Sequence, residues 1–256
     1  MRVYVINLDQ HPERLAHMRD QLCDIGFERV AAIDGAKILE TTSGLTRFEL
    51  ACLESHKNAW RLFLKHADEV ACFLEDDVHL QPDFGVLIST DNWIPSDAHS
   101  LKLDTYLQEV KLGERRRLFG GRQLARLFSR HESSAAYILS RRGAQRYLEL
   151  TNRPALPADY SLFPRSPSRL GLRIYQLTPA IAVQDHLLQR DDSGAAFPTA
   201  MDSDGSLRRT ATLIGRLRRE ASRLIGQAAE IPGTLYLRAT ERVETTTVGF
   251  GKDAAS

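Results

Sequence analysis

Cysteine is scarce, with Cys23, Cys52 and Cys72 the three in the chain. None stands in a Cys-x-x-Cys spacing and the count is odd, which argues against a zinc knuckle or a disulfide framework and for a reducing compartment. Long apolar runs are missing too. The first, Val3 to Ile6, gives way at once to Asn7 and Asp9, too short for a signal-peptide core or a membrane span, so a cytoplasmic location is expected. An excess of charge of either sign is also absent: 34 basic and 33 acidic residues leave a net charge of +1. The sum therefore names no charged partner, and the distribution matters more.

What remains is an ordinary globular composition, 43% hydrophobic and 26% charged over 256 residues, enough for one large α/β domain or one domain with an appendage. Apolar runs at Val3 to Ile6, Arg29 to Ile33 and Val70 to Leu74 read as strands. Helical spacing over Pro12 to Gly26 and Thr46 to His66 fills the gaps. Further strands are expected at Ser100 to Leu103, Ala135 to Leu139 and Ile174 to Leu177, with a helix over Arg142 to Leu150. This alternation predicts a mainly parallel central sheet flanked by helices, with ligands gathered beyond the carboxyl ends of its strands. The basic, glycine-broken stretch Leu112 to Arg130 reads as a loop or short helix over that face, and a composition shift beyond Asp191 marks the edge of the core. The division expected is a catalytic unit over 1–195 and an extension over 196–256.

The chemistry concentrates at Glu75-Asp76-Asp77, directly after the third strand. If the strand persists, its period of two puts Glu75 and Asp77 on one face and Asp76 on the other. Hard oxygen ligands of this kind suit magnesium or manganese, and such an ion would neutralise a leaving diphosphate. The competing reading is a solvated acidic turn that only ends a strand. Three adjacent acids repel one another, a repulsion that a bound cation relieves, and this favours the metal.

Several ordered blocks carry a resemblance. They are Val5-Ile6-Asn7-Leu8-Asp9 with Glu13-Arg14; Ala32-Ile33-Asp34-Gly35; Glu49 to His56 with Trp60; and Leu74 to Val78. Downstream follow Leu101-Lys102-Leu103-Asp104-Thr105, Ser134 to Ser140 with Gly143-Ala144, Pro157-Ala158-Asp159-Tyr160, and Pro179 to Gln184. Together, over roughly residues 1 to 190, the chain resembles glycosyltransferase family 25, bacterial lipopolysaccharide and lipooligosaccharide galactosyltransferases related to the collagen galactosyltransferases. Asp104 stands where the family more often has glutamate, which keeps the carboxylate one methylene shorter. The resemblance implies a GT-A type fold, a UDP-sugar donor, most often of galactose, a metal such as Mn2+ (or Mg2+), and inversion at the anomeric carbon.

Roles follow for particular residues. Asn7 and Asp9, just past the first strand, are placed to meet the nucleotide, and Arg14 to pair with its phosphate, though a surface role suits Arg14 equally. Asp34 is a candidate for the uracil or ribose; alternatively Asp-Gly simply makes a turn. Glu75 and Asp77 are the expected metal ligands, with His186 able to complete the shell, while Asp76 and Lys102 are expected on the donor side. An inverting transfer needs one base, for which Asp159 and Asp104 are the candidates, Asp159 preferred. His56 and Trp60 share a helix face, where core packing is the expected use of Trp60; a helical histidine is more often packed or hydrogen-bonded than catalytic, and the resemblance favours a functional use of His56 without fixing a role. Cys52 and Cys72 read as small buried groups.

From Leu207 to Ala228, apolar residues recur at helical spacing with arginines between them. This amphipathic basic helix would either lie peripherally on an anionic inner membrane, near a lipid-linked saccharide acceptor, or pack on the domain. Nucleic acid is not an expected partner, as aromatics are few near the basic residues. The rivals to a glycosyltransferase are a non-catalytic sugar-nucleotide or glycan binding module and a metal-dependent phosphoryl-transfer enzyme. The latter would need an aspartyl nucleophile or a second ligand cluster, and the sequence offers neither.

Overall fold

The computed structural model describes residues 1–41, 43–188 and 242–251. In chain order the elements are β1 (Arg2–Asn7), α1 (Pro12–Leu22), β2 (Phe27–Ala31), α2 (Arg47–Leu64), β3 (Val70–Glu75), β4 (Val78–Leu80), α3 (Phe84–Ser89), β5 (Ser100–Lys102) and β6 (Asp104–Thr105). They continue with β7 (Glu109–Arg117), β8 (Gln123–Leu127), β9 (Ala136–Ser140), α4 (Arg141–Leu150), α5 (Ala158–Leu162), β10 (Ile174–Thr178), β11 (Ala182–Gln184), α6 (Asp185–Leu188) and β12 (Glu244–Thr247). The basic segment 207–228 lies outside the described residues.

Local signals account for the helices. Pro12 opens α1, where its missing N–H costs nothing. The Thr46 hydroxyl and the Glu49 carboxylate form a reciprocal capping box on α2. Ser140 caps α4 by accepting from the Gly143 amide at 3.1 Å.

Nine strands form one sheet in the order β12-β7-β8-β10-β5-β9-β3-β1-β2. β1 lies parallel between β2 and β3, and β10 runs parallel to β5, but the other five pairings are antiparallel. The sheet is thus mixed, not mainly parallel as alternation suggested. β9 follows a connection from the β7–β8 hairpin instead of a crossover helix, so it enters against its neighbours. The stretch expected as a loop or short helix is that hairpin. Gly120 and Gly121, at φ of +65° and +77°, supply the left-handed backbone of its turn. A second sheet of three strands, β4-β11-β6, packs at the end of β3.

Side chains alternate across the large sheet into two cores. One holds Tyr4, Phe73, Tyr137, Trp60 and Phe63 against α2, α4 and α5; the other holds Val5, Leu74 and Ile138 against α1 and α3. Tyr4, Phe73 and Tyr137 stack across β1, β3 and β9 with centroids 5.3 and 5.2 Å apart, each contact worth about 1 kcal/mol beyond its buried area. Residues of the expected extension join this body. β12 pairs with β7, and the fully buried Val248 accepts a hydrogen bond from Thr105 Oγ1 at 2.7 Å.

Gly143 permits the close approach of α4 to β5, since a Cβ there would overlap the His99 carbonyl. Gly143→Ala is expected to destabilise the protein by about 1–3 kcal/mol, the range for overpacking. The loss should appear as a lower urea midpoint with an unchanged slope.

Candidate active site

Because β1 and β3 are parallel, with Ile6 opposite Glu75, Asn7 and the acidic triplet leave the sheet together. β3 ends at Glu75, and Asp76 and Asp77 form the turn into β4. The separation expected from strand periodicity is reached by this turn instead. Asp76 swings toward the start of the chain, where Asn7 Nδ2 donates to Oδ2 at 2.7 Å and Arg14 Nη1 to Oδ1 at 3.1 Å. Arg14 is buried in this pair and lies 4.0 Å from Asp77 as well.

Glu75 faces the opposite way. Ser134 Oγ donates to its Oε1 at 2.7 Å, and His56 Nε2 lies 3.1 Å from the same oxygen. The His56 ring is fixed from behind, with Nδ1 2.8 Å from the Tyr137 hydroxyl, which also accepts from Trp60 Nε1 at 2.8 Å. Trp60 packs as expected, and His56, hydrogen-bonded on both ring nitrogens, reaches the acidic edge itself. Gln184 Nε2 then bridges the two predicted ligands, 3.2 Å from Glu75 Oε2 and 3.4 Å from Asp77 Oδ1. Gln184 arrives there because β11 runs antiparallel to β4, with Gln184 opposite Val78.

The two bridged carboxylates differ electrostatically. Burial opposes ionisation of Glu75, but hydrogen bonds from His56 and Ser134 and the charge of Lys102 prevail and hold it below the usual carboxylate range. Asp77 has little such help. Burial, then the charges of Glu75 and Asp76, push it up to about 7 despite Arg14 and Gln184. Two facing oxygen donors, one of them strained by like charge, fit a hard divalent cation. His186 adds a buried Nδ1 with no hydrogen-bond partner. Among the described residues, Cys52, His56 and Glu75 form a group with ligand atoms within 4.8 Å of one another, and Glu75, Asp77 and His186 do not.

Lys102 and Asp104 form an ion pair of 2.9 Å, both fully buried. Lys102 Nζ also donates to the Ser133 carbonyl at 2.5 Å and sits 4.4 Å from the Phe163 ring centroid. Ser133 Oγ donates to the other Asp104 oxygen at 2.6 Å. Burial pushes Asp104 up and Lys102 down, and their mutual attraction opposes both shifts. Lys102→Met, which strands Asp104, is expected to cost about 3–5 kcal/mol, and adding Asp104→Leu to recover most of it. Urea unfolding of the single and double variants measures both.

Asp159, in the first turn of α5, is less enclosed. Its Oδ1 accepts from the Tyr160 amide at 2.9 Å; burial raises its pKa, and the Tyr160 amide and Lys102 charge oppose the rise. Asp9 reaches this group through Arg29, which also donates to Asn7 Oδ1 at 2.9 Å. Asp9 is exposed and paired with Arg29 at 2.5 Å. Asp34 makes the turn that was the plain alternative, accepting from the Ala36 amide at 2.8 Å. Of the cysteines, Cys72 is buried, Cys52 half-buried and Cys23 exposed. Sequence reasoning assigned no role to Gln184, Ser133 or Ser134. Their signal was position: two immediately precede β9 and one ends β11, both next to the carboxyl end of β3.

The relatives of this chain are glycan-building proteins. It is 29% identical over 202 residues to the lipooligosaccharide biosynthesis protein lex-1 of Haemophilus influenzae, a match covering 73% of this chain and 66% of that one. It is 27% identical over 233 residues to the lacto-N-neotetraose biosynthesis glycosyltransferase LgtB of Neisseria gonorrhoeae, covering 82% and 84%. Among solved structures, a glycosyltransferase involved in the glycosylation of the major capsid of PBCV-1 aligns at a TM-score of 0.40 and 12% identity, over 77% of this chain and 96% of that one. Residues 1–162 match glycosyltransferase family 25 (LPS biosynthesis protein), and the chain belongs to that family.

Proposed function

We propose that this glycosyltransferase has a GT-A type fold and moves a hexose, galactose by family resemblance, from a UDP-sugar to a saccharide acceptor of lipooligosaccharide or lipopolysaccharide, with inversion. The observation that carries the reading is the pair of carboxylates, Glu75 and Asp77, facing each other through the Gln184 amide at the carboxyl end of β3. Glu75 and Asp77 would hold Mn2+ or Mg2+, with His186 on α6 a further candidate ligand, and the ion would offset diphosphate charge. Asn7 and Arg14 fix Asp76, so that edge is preorganised toward the donor.

In the transfer, an acceptor hydroxyl oxygen attacks the anomeric carbon as the bond to the diphosphate breaks, and the hydroxyl proton passes to a carboxylate. Asp159 suits that task better than Asp104, because Lys102 and Ser133 already occupy both Asp104 oxygens. Lys102 and Asp104 hold the Ser133–Ser134 segment against Glu75.

Incubation with Mn2+ and a panel of UDP-sugars, with UDP release followed with and without lipooligosaccharide, tests the proposal. Acceptor-dependent release from one UDP-hexose is expected. UDP binding without transfer to any acceptor would instead favour a binding module. A contact with the inner membrane through segment 207–228 is part of the same proposal. Liposome flotation of the whole chain against one lacking only 207–228 tests it, and equal flotation would sink it.

A further inference from the structure

Cys52 and His56 stand one turn apart on α2 and turn toward the end of β3. With Glu75 they bring a sulfur, an imidazole nitrogen and a carboxylate oxygen within 4.8 Å of one another. His56 Nε2 and Glu75 Oε1 are already 3.1 Å apart, close to the ligand spacing of a tetrahedral ion. The second nitrogen of His56 is held by the Tyr137 hydroxyl, the kind of support that orients a metal-binding histidine. Glu75 keeps 21% of its side chain exposed, which leaves a way in. The surroundings are negative: after burial, Glu75, Asp159 and Asp77 are what push the Cys52 thiol up, and the same charges attract a cation.

We propose that Cys52, His56 and Glu75 form a binding site for a borderline-soft divalent ion of the zinc type, sharing Glu75 with the oxygen-only pair Glu75 and Asp77 but differing from it in donor chemistry. A sulfur–nitrogen–oxygen donor set with an open fourth position suits zinc and disfavours magnesium or manganese. Binding forms bonds from Cys52 Sγ, His56 Nε2 and a Glu75 oxygen to the ion, and the thiol proton, with any proton on Nε2, leaves to solvent. Glu75 belongs to both donor sets, so zinc opposes occupancy of the donor-side site. That consequence rests on the function proposed above; the binding does not.

Cobalt(II) is the probe, because a thiolate ligand gives it a charge-transfer absorption in the near ultraviolet. The wild-type protein is expected to show this band, saturating at one equivalent and abolished by equimolar Zn2+. Cys23→Ser, which removes the exposed thiol, should keep it. Cys52→Ser and Cys52→Ala, each checked for cooperative thermal unfolding, should lose it. A wild type without the band, a band that survives both Cys52 variants, or one lost with Cys23→Ser overturns the site. UDP binding by the wild type, measured in parallel with Mg2+, reports on the proposed function whatever the cobalt result.

Discussion

Asp77→Asn is expected to make the metal-free protein more stable at pH 8 while removing nearly all transfer activity. Burial and the charges of Glu75 and Asp76 raise Asp77 to about 7, against about 3.9 in an unfolded chain. Between those values the folded protein keeps a proton that the unfolded chain releases. Stability from this group is therefore complete below about pH 4 and declines as pH rises through about 7. Asparagine removes the penalty, so a gain of about 1–3 kcal/mol is expected at pH 8, shrinking toward zero near pH 4. Thermal unfolding in chelator at both pH values measures it. The same change removes a proposed charged metal ligand, and kcat should fall on the order of a thousandfold. Lower stability of the variant at pH 8 would mean that Asp77 is not strained by its neighbours.

Asp159→Asn should lower kcat by about 10²–10⁴-fold, the contribution of a general base, while UDP affinity stays within about twofold and unfolding is unchanged. The pH profile adds a second check. Burial raises the Asp159 carboxyl, so the acid limb of kcat/KM should lie above the ordinary aspartate range. That limb should flatten in the variant. An unaltered profile would remove Asp159 from the chemistry and leave it with sugar hydroxyls. Asp104→Asn is expected to differ in kind, acting through stability, since its carboxylate balances the buried Lys102.

The parts of this molecule legible in the sequence are those set by near neighbours along the chain. The apolar run Val70 to Leu74 became β3, and the spacing after Thr46 became α2, each within a residue or two. The acidic triplet could be recognised because its residues are adjacent. The β7–β8 hairpin was not recognised, because Arg115 to Arg117 face solvent and break the alternation that marks a strand. Strand direction was illegible for a different reason, as it depends on which distant segments pair. Gln184 illustrates the same limit at the site: it meets Glu75 across 109 residues through the register of β11 on β4. The sequence leaves the role of His56 open, because the partner that orients it toward Glu75, the hydroxyl of Tyr137, lies 81 residues away.

The pairing of β12 with β7 also bears on how the protein is made. During synthesis, β7 and the Thr105 hydroxyl beside Asp104 wait for residues 244–248, which leave the ribosome after every other described element. A chain cut short anywhere before Glu244 would carry the acidic edge yet lack the outermost strand and the buried Val248. Full ordering of the sheet edge beside Asp104 thus depends on a segment 143 residues further along the chain, which ties the last steps of folding to a late-emerging stretch.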